Sequence, residues 1–330
     1  MKFSSRIERC GLSPMRKFYP YEVAAEARGV KVHHLNIGQP DIPTPPAFFD
    51  AVRDFGENVL AYAPSPGVGV FLDAVRDYYT GLGFPIERED ILATHGGSEA
   101  LEIVMSCLLE DGDEILVPEP FYPNYSTFIN ITGGVIRPIP TFPEEGYRYA
   151  DRERIEPLIN ERTRAILVTN PGNPTGVVLR REEARLLVDI AKEHDLFLIG
   201  DEVYREIVYG GEKPASFLEF TDAAENIAVV DSVSKRFSSC GARVGALIFR
   251  NRNLMDQAMK LCQGRLCAAT LDQVGAAAMY RNLGPDYYQG LLEEYRRRKD
   301  AVVEALEKIP GIQFSHPEGA FYLMVTLPVE

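Results

Sequence analysis

Seven short apolar runs, separated by longer stretches of helical phasing, constrain this chain more than any other feature. They are Ile91–Thr94, Glu114–Val117, Val135–Ile139, Arg164–Thr169, Phe197–Gly200, Ile227–Val230 and Gly245–Phe249. Helical stretches at Ala100–Leu109, Asn124–Ile131 and Arg181–His194 lie between them. Strands that feed helices in alternation predict an α/β fold with a mostly parallel seven-stranded sheet flanked by helices. Ahead of the sheet, an arm runs to about His33, with Pro14, Pro20 and a short helical run at Glu22–Arg28. His34–Ile37 then predicts a brief strand, ending in Gly38-Gln39-Pro40-Asp41, and Pro43-Thr44-Pro45-Pro46 marks a crossing segment. A helix at Ala47–Phe55 precedes the turn Tyr62–Gly67, which opens a helix carrying Val68, Phe71, Leu72, Val75 and Tyr79 on one face. Helices at Asn253–Leu261, Leu271–Tyr280 and Tyr287–Lys308, and strand-like runs at Ile312–Ser315 and Phe321–Thr326, end the chain. The expected division is an arm and small-domain segment over 1–47, a large domain over 48–283 and a small domain over 284–330.

Composition narrows the class of partner. With 330 residues, 45% of them hydrophobic, the chain can bury a sizeable core. A net charge of −13 argues against nucleic acid and anionic membrane, though not against a small anionic cofactor. No apolar run is long enough to span a bilayer, and the N-terminus lacks the apolar core of a signal peptide. The five cysteines (Cys10, Cys107, Cys240, Cys262 and Cys267) form no CxxC pair and are expected as reduced packing residues in mostly helical contexts. A cytoplasmic location follows as the expectation.

The residues that carry chemistry gather just past the strands. After Val230 comes Asp231-Ser232-Val233-Ser234-Lys235, then Gly241 and Arg243. A desolvated lysine is pushed toward its neutral amine, and an arginine fork suits a phosphate, so the pair fits a pyridoxal phosphate Schiff base. An ordinary solvated loop lysine is the other reading. Gly96-Gly97-Ser98-Glu99 is a glycine turn entering a helix, which reads as a simple phosphate site or as a plain N-cap. Tyr122 follows a strand end, where open α/β sheets bind ligands, and could stack on a flat ring or simply fill the core. Asn170-Pro171-Gly172-Asn173-Pro174-Thr175-Gly176 over-specifies a turn that could present the Asn173 amide to a phenolate oxygen. Asp201 ends a buried strand and needs a cationic partner, either a protonated pyridine nitrogen or an arginine, and Tyr204 stands three residues on. Ser232-x-x-Lys235 also matches the S-x-x-K of penicillin-recognising serine acyl-enzymes, but no Lys-Thr-Gly accompanies it.

Taken in order, GGSEAL, PEPFYPNY, NPGNPTG, DEVYRE and SVSKRFSSCGARVG resemble the class I/II aminotransferases of PLP fold type I, from about Gly38 to the last residue. The resemblance implies a pyridoxal 5'-phosphate enzyme moving an amino group from an amino acid to a 2-oxo acid. Lys235 would form the internal aldimine and shuttle the proton, and Asp201 would pair with the pyridinium. Asn173 and Tyr204 would bond the 3′ oxygen, and Tyr122 would stack on the ring. Gly97, Ser98, Ser232 and Arg243 would hold the phosphate. Tyr62 would reach the phosphate of a neighbouring subunit, implying a homodimer with shared sites, and Gly38 and Asn173 would face the substrate. β-Elimination from a sulfur amino acid, or a non-catalytic module of the same fold, are the alternatives. The family's arginine for the substrate carboxylate lies beyond Gly319-Ala320-Phe321-Tyr322, on a strand past Glu330. The gene is therefore expected to continue, and a chain of these residues alone is expected to bind the cofactor, transaminate poorly and associate.

Overall fold

The computed structural model describes residues 1–210 and 213–327. All seven predicted runs become strands: β1 (Ile91–Thr94), β2 (Glu114–Glu119), β3 (Val135–Pro140), β4 (Thr163–Thr169), β5 (Phe197–Asp201), β6 (Ile227–Ser232) and β7 (Gly245–Phe249). They form one sheet of order β1-β7-β6-β5-β4-β2-β3. The pairs β2–β3, β2–β4, β4–β5 and β5–β6 are parallel, whereas β7 runs antiparallel to both β6 and β1.

The runs are unbroken because both faces of the sheet are covered. On β6, Ile227 and Val229 enter one core with the helices Gly69–Gly81, Arg181–Glu193 and Thr270–Asn282. Ala228 and Val230 enter the other, with the helices Gly96–Leu108, Asn124–Thr132 and Arg252–Gly264. A small cluster of Ile207, Leu291 and Tyr295, with Phe321 against it, ties the long helix Pro285–Glu307 to the sheet's carboxyl edge.

Four expectations need correction. His34–Ile37 pairs with no strand among the described residues, and Leu35 is 96% exposed. Its period-two pattern is there, but no sheet edge lies beside it. The arm helix is Tyr19–Glu26 rather than Glu22–Arg28, because Pro20 is tolerated in a first helical turn. Of the free cysteines, Cys107 and Cys262 are in α-helices, but Cys10, Cys240 and Cys267 are not. The last predicted run narrows to β9 (Val325–Thr326), antiparallel to β8 (Gln313–Phe314), and Phe321 instead stacks on Tyr295 with centroids 5.2 Å apart.

Register gathers the strand ends. Gly245 lies opposite Thr94 on one side and Ser232 on the other, so the turns after β1 and β6 meet where β7 begins. A Cβ at Gly245 would stand 2.6 Å from Gly96 C, 2.8 Å from Asp231 O and 2.9 Å from Gly97 N. All three are backbone atoms that cannot rotate away. Gly245→Ala should therefore cost about 2–3 kcal/mol in a urea melt, at the upper end of overpacking penalties. A loss under about 0.5 kcal/mol, the scale of a neutral surface change, would refute this packing.

Candidate active site

Five chain segments leaving the carboxyl ends of β1, β2, β4, β5 and β6 build the site. Lys235, read from sequence as a loop residue, stands on one helical turn, Val233–Arg236, directly after β6. Its Nζ donates to the Gly38 carbonyl at 2.7 Å and lies 3.9 Å from Cys240 Sγ. Burial lowers its pKa, although Cys240 and Asp201 pull the other way. The next residue anchors that turn. Arg236 is 1% exposed, bonds Asp231 at 2.7 Å and places its guanidinium 4.1 Å from the Tyr78 ring centroid. Asp231 also accepts from Tyr79 OH at 2.8 Å, so this acid is fully compensated.

Asp201 is different. Its neighbour Glu202 is paired with Arg205 at 3.1 Å, but Asp201 has no arginine bonded to it among the described residues. Its Oδ2 accepts from Tyr125 OH at 2.6 Å and its Oδ1 from the Val203 N–H at 3.4 Å. Burial therefore pushes its pKa up to about 6, with those two bonds offsetting only part of the cost. The structural-arginine reading of Asp201 is thereby set aside.

Tyr204 and Asn173 come together as expected: Asn173 Nδ2 donates to Tyr204 OH at 3.3 Å. Tyr122 is half-buried, its hydroxyl accepting from Asn124 Nδ2 at 2.7 Å and its ring edge-on to Tyr125 at 5.4 Å. Gly96 adopts φ +76°, and a Cβ there would stand 2.5 Å from Arg243 Nη2. The same guanidinium donates to the His95 carbonyl at 3.2 Å, so Arg243 is aimed at the turn that carries Gly97 and Ser98. Ser232 is committed elsewhere. Its Oγ accepts from Ser234 N at 3.1 Å and lies 2.8 Å from Ser234 Oγ and 3.1 Å from the Val244 carbonyl, one of which takes its single proton. It caps the lysine's helical turn rather than standing free. Tyr62 is 80% exposed and makes no side-chain hydrogen bond among the described residues.

Two residues of the site were not anticipated. Tyr125 carries the bond to Asp201, and Tyr322 OH lies 2.6 Å from Tyr204 OH. Both stand inside motifs already noted, Tyr125 at the end of PEPFYPNY and Tyr322 at the end of Gly319–Tyr322.

A sequence model of the family described as aminotransferase class I and II matches residues 30–330. The chain belongs to that family. As an aminotransferase of this class it catalyses pyridoxal-phosphate-dependent transfer of an amino group between an amino acid and a 2-oxo acid. It is similar to a probable aspartate/prephenate aminotransferase of Aquifex aeolicus, 31% identical over 324 residues, covering 97% of this chain and 82% of that protein. Among solved structures it resembles a mutant aspartate aminotransferase of Thermus thermophilus, with TM-score 0.92, 28% identity and coverage of 98% and 85%. It also resembles an alanine aminotransferase of Pyrococcus furiosus, with TM-score 0.91, 29% identity and coverage of 100% and 85%. These matches overturn the serine acyl-enzyme reading, as does the internal commitment of Ser232. The stretch at Glu330, from which a further strand was expected, lies outside the described residues. No helix among the described residues is long and apolar enough to cross a membrane.

Proposed function

We propose that this aminotransferase holds pyridoxal 5'-phosphate at the carboxyl edge of its sheet, with Lys235 as the covalent anchor and proton carrier. One contrast supports this most. At the carboxyl ends of β5 and β6, Glu202 and Asp231 are each paired with an arginine, whereas Asp201 has none bonded to it among the described residues, and it ends the strand beside the one leading to a lysine whose charge burial disfavours. A ligand bringing a ring cation for Asp201 and a carbonyl carbon for Lys235 satisfies both. When bound, that group supplies an electron sink for the bond broken at the substrate α-carbon.

The chain's own residues do the rest. Asp201 holds a positive charge at the ring nitrogen, supported by Tyr125. Tyr204 and Asn173 would direct donors at the phenolic oxygen, and Tyr122 would cover the ring. Gly97, Ser98 and Arg243 would receive the phosphate, with Ser232 shaping the turn beneath it. Lys235 Nζ would take the proton from the substrate's α-carbon, the electrons of that C–H bond passing to the bound group, and would later return it; Gly38, whose carbonyl it bonds here, belongs to the segment that would face the substrate. Adding the cofactor to purified protein should raise a visible band. A panel of amino acids should bleach it, and a 2-oxo acid should restore it. A band that no amino acid bleaches would refute the reading.

A homodimer with shared sites, in the cytoplasm, completes the proposal. Val59, Leu60 and Tyr62 form an exposed apolar stretch suited to a second copy of the chain. The proposed division at 47/48 and 283/284 cuts the helix Pro46–Arg53 after Ala47 and leaves the rest of it with the large domain, where Phe48 packs against Gly275. Mixing Tyr62→Phe with Lys235→Ala protomers should restore activity, because hybrid dimers then carry one intact site. Mixtures inactive at every ratio would defeat the shared-site assignment.

A further inference from the structure

We infer that Tyr322 is a positioning residue for the reaction, its hydroxyl orienting the Tyr204 proton toward the cofactor's phenolic oxygen. The inference rests on the cofactor reading above. A tyrosine oxygen offers one proton and two lone pairs. Asn173 Nδ2 fills one lone pair of Tyr204 at 3.3 Å, and Tyr322 OH lies at 2.6 Å. With Tyr322 donating, both lone pairs are occupied and the proton of Tyr204 is left for an acceptor in the site. Donation into a hydroxyl also strengthens the bond that hydroxyl gives in turn.

The placement of Tyr322 is built from the loop that follows Tyr204. Tyr209 N donates to the Glu318 carbonyl and Ala320 N to the Ile207 carbonyl, each at 2.8 Å, which clamps the turn before Tyr322 onto that loop. The Tyr322 ring stands edge-on to Tyr204, at 5.5 Å and 86°. Gly38 closes the third side: a Cβ there would lie 1.8 Å from the Tyr322 hydroxyl, so the arm backs the hydroxyl without displacing it. Burial raises both phenols above their usual pKa, which keeps both protons available as donors.

A donor to the phenolic oxygen stabilises its anion and so lowers the pH midpoint at which the bound cofactor's visible band titrates. The test titrates that band in wild type, Tyr322→Phe, Tyr204→Phe and the double variant, each loaded with pyridoxal 5'-phosphate. Tyr322→Phe should raise the midpoint by about half to one pH unit, the scale of one hydrogen bond. It should add nothing on the Tyr204→Phe background. A ring-fluorinated tyrosine at position 322, a stronger donor, should move the midpoint the opposite way. An unmoved midpoint, even with a lower Tm, overturns the inference, as does an equal shift in the Tyr204→Phe background. A fall in Tyr322→Phe would mean that Tyr204 donates to Tyr322, which also overturns it. A wild type that shows no band overturns the cofactor reading and this inference together.

Discussion

Lys235→Ala should lose at least about 10⁴-fold in transamination rate, since in the proposed site it removes both a positioned proton carrier and a tethered nucleophile. Cofactor should still bind weakly through the Arg243 and Gly97 turn. After borohydride reduction, peptide mass mapping should find the cofactor adduct on Lys235 in the wild type and on no peptide of the variant. The geometry is what singles this lysine out. It follows a fully buried strand, its own amine is largely desolvated, and its Nζ meets the Gly38 carbonyl at 2.7 Å. An adduct retained by the variant on another lysine would show that the anchor was misassigned.

Asp201→Asn should slow turnover by about 10²–10³-fold, equivalent to about 3–4 kcal/mol of transition-state stabilisation, with a much smaller change in cofactor affinity. A neutral amide cannot hold the ring proton, although the bond from Tyr125 can persist. The same carboxyl also predicts a pH effect on the protein without cofactor. Its pKa is about 6 when folded, above the ordinary 3.8. Between those values the folded chain binds the extra proton, so stability falls as pH rises from about 4 to about 6. Integrated over the interval, the loss is about 3 kcal/mol, and it should be absent in Asp201→Asn. Urea melts of both proteins across that interval measure it. Parallel slopes would place the titration elsewhere, and near-normal α-proton exchange in the variant would defeat the catalytic role.

The strands were legible because a sheet covered on both faces writes each of them as an unbroken apolar run, and β7 was bounded by residue from sequence alone. Its antiparallel direction was not legible, since a run apolar on both faces reads the same either way. His34–Ile37 misled for the converse reason: a local period of two says nothing about whether a partner strand exists. Lys235, Tyr204 and Asn173 stood out because each follows a strand end within a marked turn, and Asp201 because it ends the apolar run of β5. Tyr125 was missed because a tyrosine 1% exposed on a helix face reads as core. Tyr322 was missed because its contact with Tyr204 spans 118 positions, which no local pattern reports.

The anchoring of Arg236 can be restated as a local concentration. With the following residue locked between Asp231 and the Tyr78 ring, the Cα of Lys235 is a fixed post. Only the four-methylene stem moves, and it reaches about 6 Å. One amine confined to a sphere of that radius is present at about 2 M, before any orientation is counted. Loosening the post by removing Asp231 would dilute the amine without touching a single atom that meets the substrate.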